Sequence, residues 1–313
     1  MLKNFGELLK AVASEPARKI AVAAANDKTL VAALKQAIDE DVAIPVLVGD
    51  KKMISGFASE LGWSLADGQI VDSPNEISAA REATRLVREG RCEILMKGQI
   101  HTDDFLRAVL DKEAGLRTGA AMSHVFILEL PAQERLLFVT DGAMNIAPDL
   151  VRKSEIILNA VSLANAFGFE KPTVAVVAAV ELVNPAMPAT LDAAALAKMS
   201  DRGQFPNCIV DGPFGFDNAV SVAAARQKKI SSPVAGKADI LLAPNIEAGN
   251  MLVKCFSHLC GGTTAGVLVG ASVPVVLTSR ADNAEAKFLS IAAAALMVNM
   301  SRSGNLKVGK VHY

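Results

Sequence analysis

The chain has 313 residues, half of them apolar and only 4% aromatic, with 32 basic and 33 acidic side chains giving a formal charge of −1. That balance supplies no field for capturing nucleic acid or an anionic membrane, so an anionic ligand must be held by a few local cations. Cys92, Cys208, Cys255 and Cys260 show no framework spacing and read as reduced thiols of a cytoplasmic protein.

The first residues, MLKNFGELLKAVASE, read as an amphipathic helix carrying charges throughout rather than a signal peptide, and no apolar run reaches the roughly 18 residues of a spanning helix. Ile20–Ala25 then reads as a strand, followed by a helix capped by Asp27 and running to about Glu40. Pro45–Val48 is the next strand, before a helix near Lys51–Leu61. Asn75 caps a helix to Arg88, and Glu93–Met96 is a further strand. This βαβα alternation predicts a mostly parallel sheet flanked by helices.

The middle breaks the rhythm. His124–Leu130 and Arg135–Thr140 are strand runs separated only by Pro131–Glu134, too short for a parallel crossover, so they predict an antiparallel hairpin. Alternation resumes with helix Leu150–Ala166, strand Thr173–Val180, helix Leu191–Met199, strand Cys208–Val210 and helix Asn218–Lys229. Strand Ile240–Leu242 follows, then a helix from about Glu247 to Cys260, a Gly-rich connector, and strand Val273–Leu277 before a long Ala-rich helix from Asn283. The change of strand direction near residues 118–140 signals a second domain. We expect one α/β domain from residues 1–118 plus 270–313, and another from 119–269.

Missing motifs narrow the chemistry. There is no G-x-x-x-x-G-K-[ST], no G-x-G-x-x-G and no G-x-S-x-G, and the four histidines lack metal-ligand spacing. Three constellations remain. Met96–Lys97–Gly98–Gln99–Ile100–His101–Thr102 sits at a strand's carboxyl edge, where an ammonium and backbone can approach an anion. Thr102 is the expected N-cap of a helix Asp103–Glu113, with Phe105, Leu106, Val109 and Leu110 buried. Arg107 lies off that stripe, either as a solvated helix arginine or beside a ligand. Leu116–Arg117–Thr118–Gly119 could cradle phosphate or simply turn the chain. Thr278–Ser279–Arg280–Ala281–Asp282, with Glu285 behind, ends a strand; Asp282 fits a capping pattern, but a Ser–Arg pair there is hard to explain structurally. Ligands of open α/β sheets bind at this edge.

The segments SPVAGKADILLAPNIEAGNMLVK, LTSRAD, KGQIHTDDFLRAVL and DGPFGFDNAVS together resemble the phosphate acetyltransferase/phosphate butyryltransferase family, closer to the butyryltransferase branch, over about residues 20–300. The resemblance implies two α/β domains similar to the isocitrate/isopropylmalate dehydrogenase-like fold, with the active cleft between them. It implies a commonly dimeric enzyme that exchanges acyl-CoA and phosphate for acyl phosphate and CoA, with no metal or redox cofactor and CoA as a substrate. It assigns the catalytic Ser–Arg pair to Ser279 and Arg280 and the phosphate-binding arginine to Arg107. Lys97, His101, Thr102, Arg117 and Asn245 complete the expected substrate-binding set. The acetyltransferase branch carries an aspartate at the position of Ala286, which leaves Asp282 or Glu285 as the base, Asp282 preferred.

These residue types suit the implied chemistry. A thiol with a pKa near 8.5 is only a few per cent thiolate at neutral pH. A guanidinium about 4 Å away at an effective dielectric of about 20 offers on the order of 4 kcal/mol to that anion. Arg280 would thus hold the CoA thiolate, Asp282 take the proton or orient the arginine, and Ser279 donate to the oxyanion. Arg107 and Lys97 would grip phosphoryl oxygens. Direct transfer in a ternary complex needs no enzyme nucleophile. The competing expectations are a dehydrogenase of the related fold, which lacks its nucleotide pattern here, and a non-catalytic acyl-CoA or phosphate binder, which Ala286 favours.

Overall fold

The computed structural model of the chain describes residues 1–306 and 309–312. The chain forms two compact units, one from Phe5–Ala120 and Ala265–Gly304, the other from Met1–Asn4, Ala121–Thr264 and the chain from Asn305 on.

The first unit opens with α1 (Phe5–Ala13) and continues through β1 (Arg18–Ala23), α2 (Lys28–Asp39), β2 (Ala43–Gly49), α3 (Lys51–Glu60), β3 (Ile70–Asp72), α4 (Glu76–Arg88), β4 (Ile94–Lys97) and α5 (Thr102–Val109). β1 pairs in parallel with β2 and β4, and β2 with β3. Asp27 and Asn75 cap α2 and α4 as expected, each accepting an amide N–H of the first turn. The short strand β3, at the sheet edge, has no apolar run to announce it. His101, rather than Thr102, occupies the N-cap of α5 and makes no side-chain cap bond. That helix stops at Val109, four residues short of the expected Glu113. The Asp111 carboxylate accepts the amides of Glu113 and Ala114 in a turn that competes with the helix.

The second unit contains β5 (Ser123–Glu129), β6 (Leu137–Thr140), α6 (Leu150–Ala166), β7 (Thr173–Val177), α7 (Pro188–Asp201), β8 (Ile209–Phe214), α8 (Phe216–Val220), α9 (Val222–Gln227), β9 (Ile240–Leu242) and α10 (Ile246–Leu259). β5 and β6 form the expected antiparallel hairpin, and β6, β9, β7 and β8 then run parallel in that order. The expected helix Asn218–Lys229 is two helices, because Ser221 is extended and caps α9 through the Ala224 amide. The expected strand Thr173–Val180 ends at Val177 beside a register shift against β8. Buried Asp141, just past β6, ties its loop together by accepting from the amides of His124, Ala143 and Met144 and from the Asn145 side chain.

The chain returns to the first unit through β10 (Thr263–Val269), β11 (Val275–Val276) and α11 (Ala284–Arg302). The expected Gly-rich connector is therefore a strand. Its glycines, at 261, 262, 266 and 270, mask a buried apolar run, and β10 pairs antiparallel with β11. β11 in turn lies parallel to β4, so the ends of β4 and β11 are neighbours. α11 is buried almost all round from Lys287 to Asn299, its alanines allowing close approach to α1 and α2.

Candidate active site

The β4–β11 pairing brings two sequence constellations to one edge. Lys97 is the last residue of β4, and Thr278, Ser279 and Arg280 follow β11 at its carboxyl end. They line a tight space of about 10 Å³ together with Asp27, Leu30, Gly98, Gln99 and Lys287.

Lys97 is only 3% exposed. Its ammonium donates to the carbonyls of Gly98 (3.2 Å) and Ile100 (3.0 Å), which leaves one N–H for a ligand. The loop beneath it needs glycine at position 98, since a Cβ there would lie 2.3 Å from the Ala24 carbonyl oxygen and 2.6 Å from that of Ala23. Burial, then the charges of Arg280 and Lys287, pull the Lys97 ammonium down to about 8.

The turn after β11 is held from both sides. The Ser279 amide donates to the Asp282 carboxylate at 2.7 Å, and the Ala281 amide donates to the Ser279 hydroxyl oxygen at 3.3 Å. The hydroxyl proton of Ser279 therefore remains available to a substrate oxygen. Asp282 does not cap α11; Asn283 does, accepting the Ala286 amide at 2.8 Å, because Asp282 is occupied in the turn. Below the turn, buried Lys287 donates to the Asp282 and Ser279 carbonyls. Desolvation lowers the pKa of that lysine, against the opposing pull of Asp282 and Asp27. Arg280 itself is exposed. Two buried ammoniums held by carbonyls rather than carboxylates, beside an exposed guanidinium, concentrate positive charge at this edge.

The other expected residues lie apart from this pocket. Arg107, its side chain 80% exposed, pairs with Asp104 at 3.2 Å on α5. Asp104 lines a separate groove of about 960 Å³ that also carries Asp50, Lys51, Lys52, Asp72 and Glu76. Four carboxylates against two lysines do not favour a polyanion there. His101 is exposed and Thr102 is the first helical residue of α5. Arg117 is exposed on a segment bridged to Ala271, and the adjacent Thr118 hydroxyl donates to the Gly270 carbonyl. Asn245, in the other unit, caps α10 by accepting the Ala248 amide at 3.0 Å.

Residues 74–295 match the family model described as phosphate acetyl/butaryl transferase, a span that contains Lys97, Arg107, Ser279, Arg280 and Lys287. The chain belongs to this family. Over 297 residues it is 48% identical to the phosphate butyryltransferase of Clostridium acetobutylicum, covering 95% of this chain and 99% of that one. It is also 48% identical, over 292 residues, to the phosphate acetyltransferase of Thermotoga maritima, covering 93% and 99%. The crystal structure of a branched-chain phosphotransacylase from Enterococcus faecalis superposes with a TM-score of 0.77 at 32% identity, covering 90% of this chain and 99% of that chain.

Within this transferase family, Lys287 is the residue that sequence reasoning passed over. It sits inside an apolar, Ala-rich helix, and only its place one residue after Ala286 and eight after Ser279 hints that it reaches back under the turn. Among the described residues no group of three or more His, Cys, Asp or Glu side chains is arranged to hold a metal, and no helix is long and apolar enough to cross a membrane.

Proposed function

We propose that this chain reversibly transfers a short acyl group, acetyl or butyryl, between coenzyme A and inorganic phosphate, by direct transfer in a ternary complex. The observation that carries the reading is the juxtaposition of Lys97, Arg280 and Lys287 beside Ser279 in a chain of this family. Lys97 and Arg280 line the same space of about 10 Å³, so a phosphate would sit at its mouth rather than within it. Attack by a phosphate oxygen on the thioester carbonyl places negative charge on that carbonyl oxygen, where the Ser279 hydroxyl can donate. As the carbon–sulfur bond breaks, the departing thiolate is stabilised by the Arg280 guanidinium. In reverse, the CoA thiol loses its proton, and the Asp282 carboxylate is the acceptor we assign. Arg107 would leave Asp104 to clamp the phosphoryl group, an exchange that its exposure makes inexpensive.

The same reading has the enzyme working in the cytoplasm as a homodimer. The exposed side chains of Ile146, Leu182 and Met251 are apolar area that a second copy would cover.

Initial rates of thiol release test the proposal, with acetyl-, propionyl-, butyryl- and isobutyryl-CoA each varied against phosphate. A ternary complex gives intersecting double-reciprocal lines for at least one of them. Parallel lines would refute direct transfer, and absence of phosphate-dependent release from all four would refute the activity.

A further inference from the structure

At its carboxyl end α10 opens its last turn. The Cys260 amide donates to the Cys255 carbonyl at 3.3 Å, an i→i+5 closure, and the Gly262 amide reaches back to the Phe256 carbonyl at 3.0 Å. A turn widened in this way stacks the residue five places on above the first, so the two cysteines share a face. Both residues are exposed free thiols, and Cys255 is close enough to bear on the Cys260 thiol. Cys92 and Cys208 differ: both are buried, and burial pushes their thiols up to about 11 and about 12.

We propose that Cys255 and Cys260 form an oxidisable dithiol which a hydroperoxide closes into an intramolecular disulfide. One sulfur, as thiolate, attacks the peroxide oxygen; the O–O bond breaks, a sulfenic acid forms, and water or an alcohol departs after protonation. The second sulfur attacks the sulfenic sulfur, the S–O bond breaks, the S–S bond forms and water leaves. Two thiols are oxidised by two electrons and one hydroperoxide is reduced. The bridge requires Cα atoms within about 4.4–6.8 Å, a span suited to the two ends of a hydrogen-bonded turn. The Cys260 thiol is held above its ordinary value by desolvation and by Cys255, so closure quickens as pH rises.

The test treats the full-length folded chain with excess hydrogen peroxide and reads thiol titre and peptide mass without reduction. The expected result is a mass loss of about 2 Da on the peptide carrying both cysteines, reversed by dithiothreitol. Cys92 and Cys208 stay reduced. In Cys255→Ser and in Cys260→Ser the remaining cysteine instead gives a sulfenic acid trapped by dimedone. Independent oxidation of both cysteines without a bridge, or a bridge between two chains, would overturn the proposal. Neither result bears on acyl transfer, which is read by a separate assay.

Discussion

Replacing Arg280 with Ala lowers turnover by at least about a hundredfold, roughly 3 kcal/mol of transition-state stabilisation. The guanidinium stands at an exposed turn rather than in the core, so the variant keeps the melting temperature of the parent chain within the small range of surface substitutions. Arg280→Lys restores only part of the loss, because a point charge cannot reproduce the planar fork that meets sulfur and phosphate together. Steady-state kinetics alongside thermal melting separate these outcomes. Near-normal turnover in a folded Arg280→Ala variant would remove the arginine from the mechanism.

Lys97→Met raises the KM for phosphate at least about tenfold, with a smaller effect on the KM for acyl-CoA. The pH dependence carries the same signature. The wild-type ammonium is charged below about 8 and neutral above, so kcat/KM for phosphate falls as pH rises through that value. Phosphate gains negative charge towards higher pH, which would strengthen binding, so a fall can only come from the protein. The Lys97→Met profile shows no such fall across this window. Stability moves in the opposite sense: the folded-state value lies below that of an unfolded lysine, so the unfolded chain binds more protons between about 8 and 10.4, and stability rises with pH there. A lysine that costs stability in its charged form at neutral pH suits a ligand site better than a structural one. A wild-type kcat/KM for phosphate unchanged from pH 7 to 9 would contradict this role.

Much of the architecture was legible because it rests on local chemistry. Asp27 and Asn75 announce their helices by capping, Leu150–Ala166 is a helix with the expected bounds, and the four residues between the runs ending at Leu130 and beginning at Arg135 permit only a hairpin. What escaped depended on partners distant in the chain. The run from Thr263 to Val269 reads as a glycine-rich connector until β11 is beside it, and β3 has nothing but its pairing with β2 to define it. At the site, Lys97, Ser279 and Arg280 could be singled out as polar residues where apolar runs stop. Their adjacency depends on the parallel pairing of β4 with β11, residues separated by most of the chain. Asp282 reads as a cap because its spacing to Glu285 imitates one, whereas the Ser279 amide claims it and passes the cap to Asn283. Lys287 carries no signal beyond its spacing from Ser279: its role arises from reaching back to carbonyls of the turn that presents Ser279 and Arg280.

Phosphorus NMR of the purified chain with butyryl-CoA and inorganic phosphate reads the transfer itself. The inorganic phosphate signal is expected to be converted into that of an acyl phosphate, mole for mole with free CoA thiol, and both changes to disappear in Arg280→Ala. Thiol release without any acyl phosphate, at the same rate whether or not phosphate is present, would contradict the transfer.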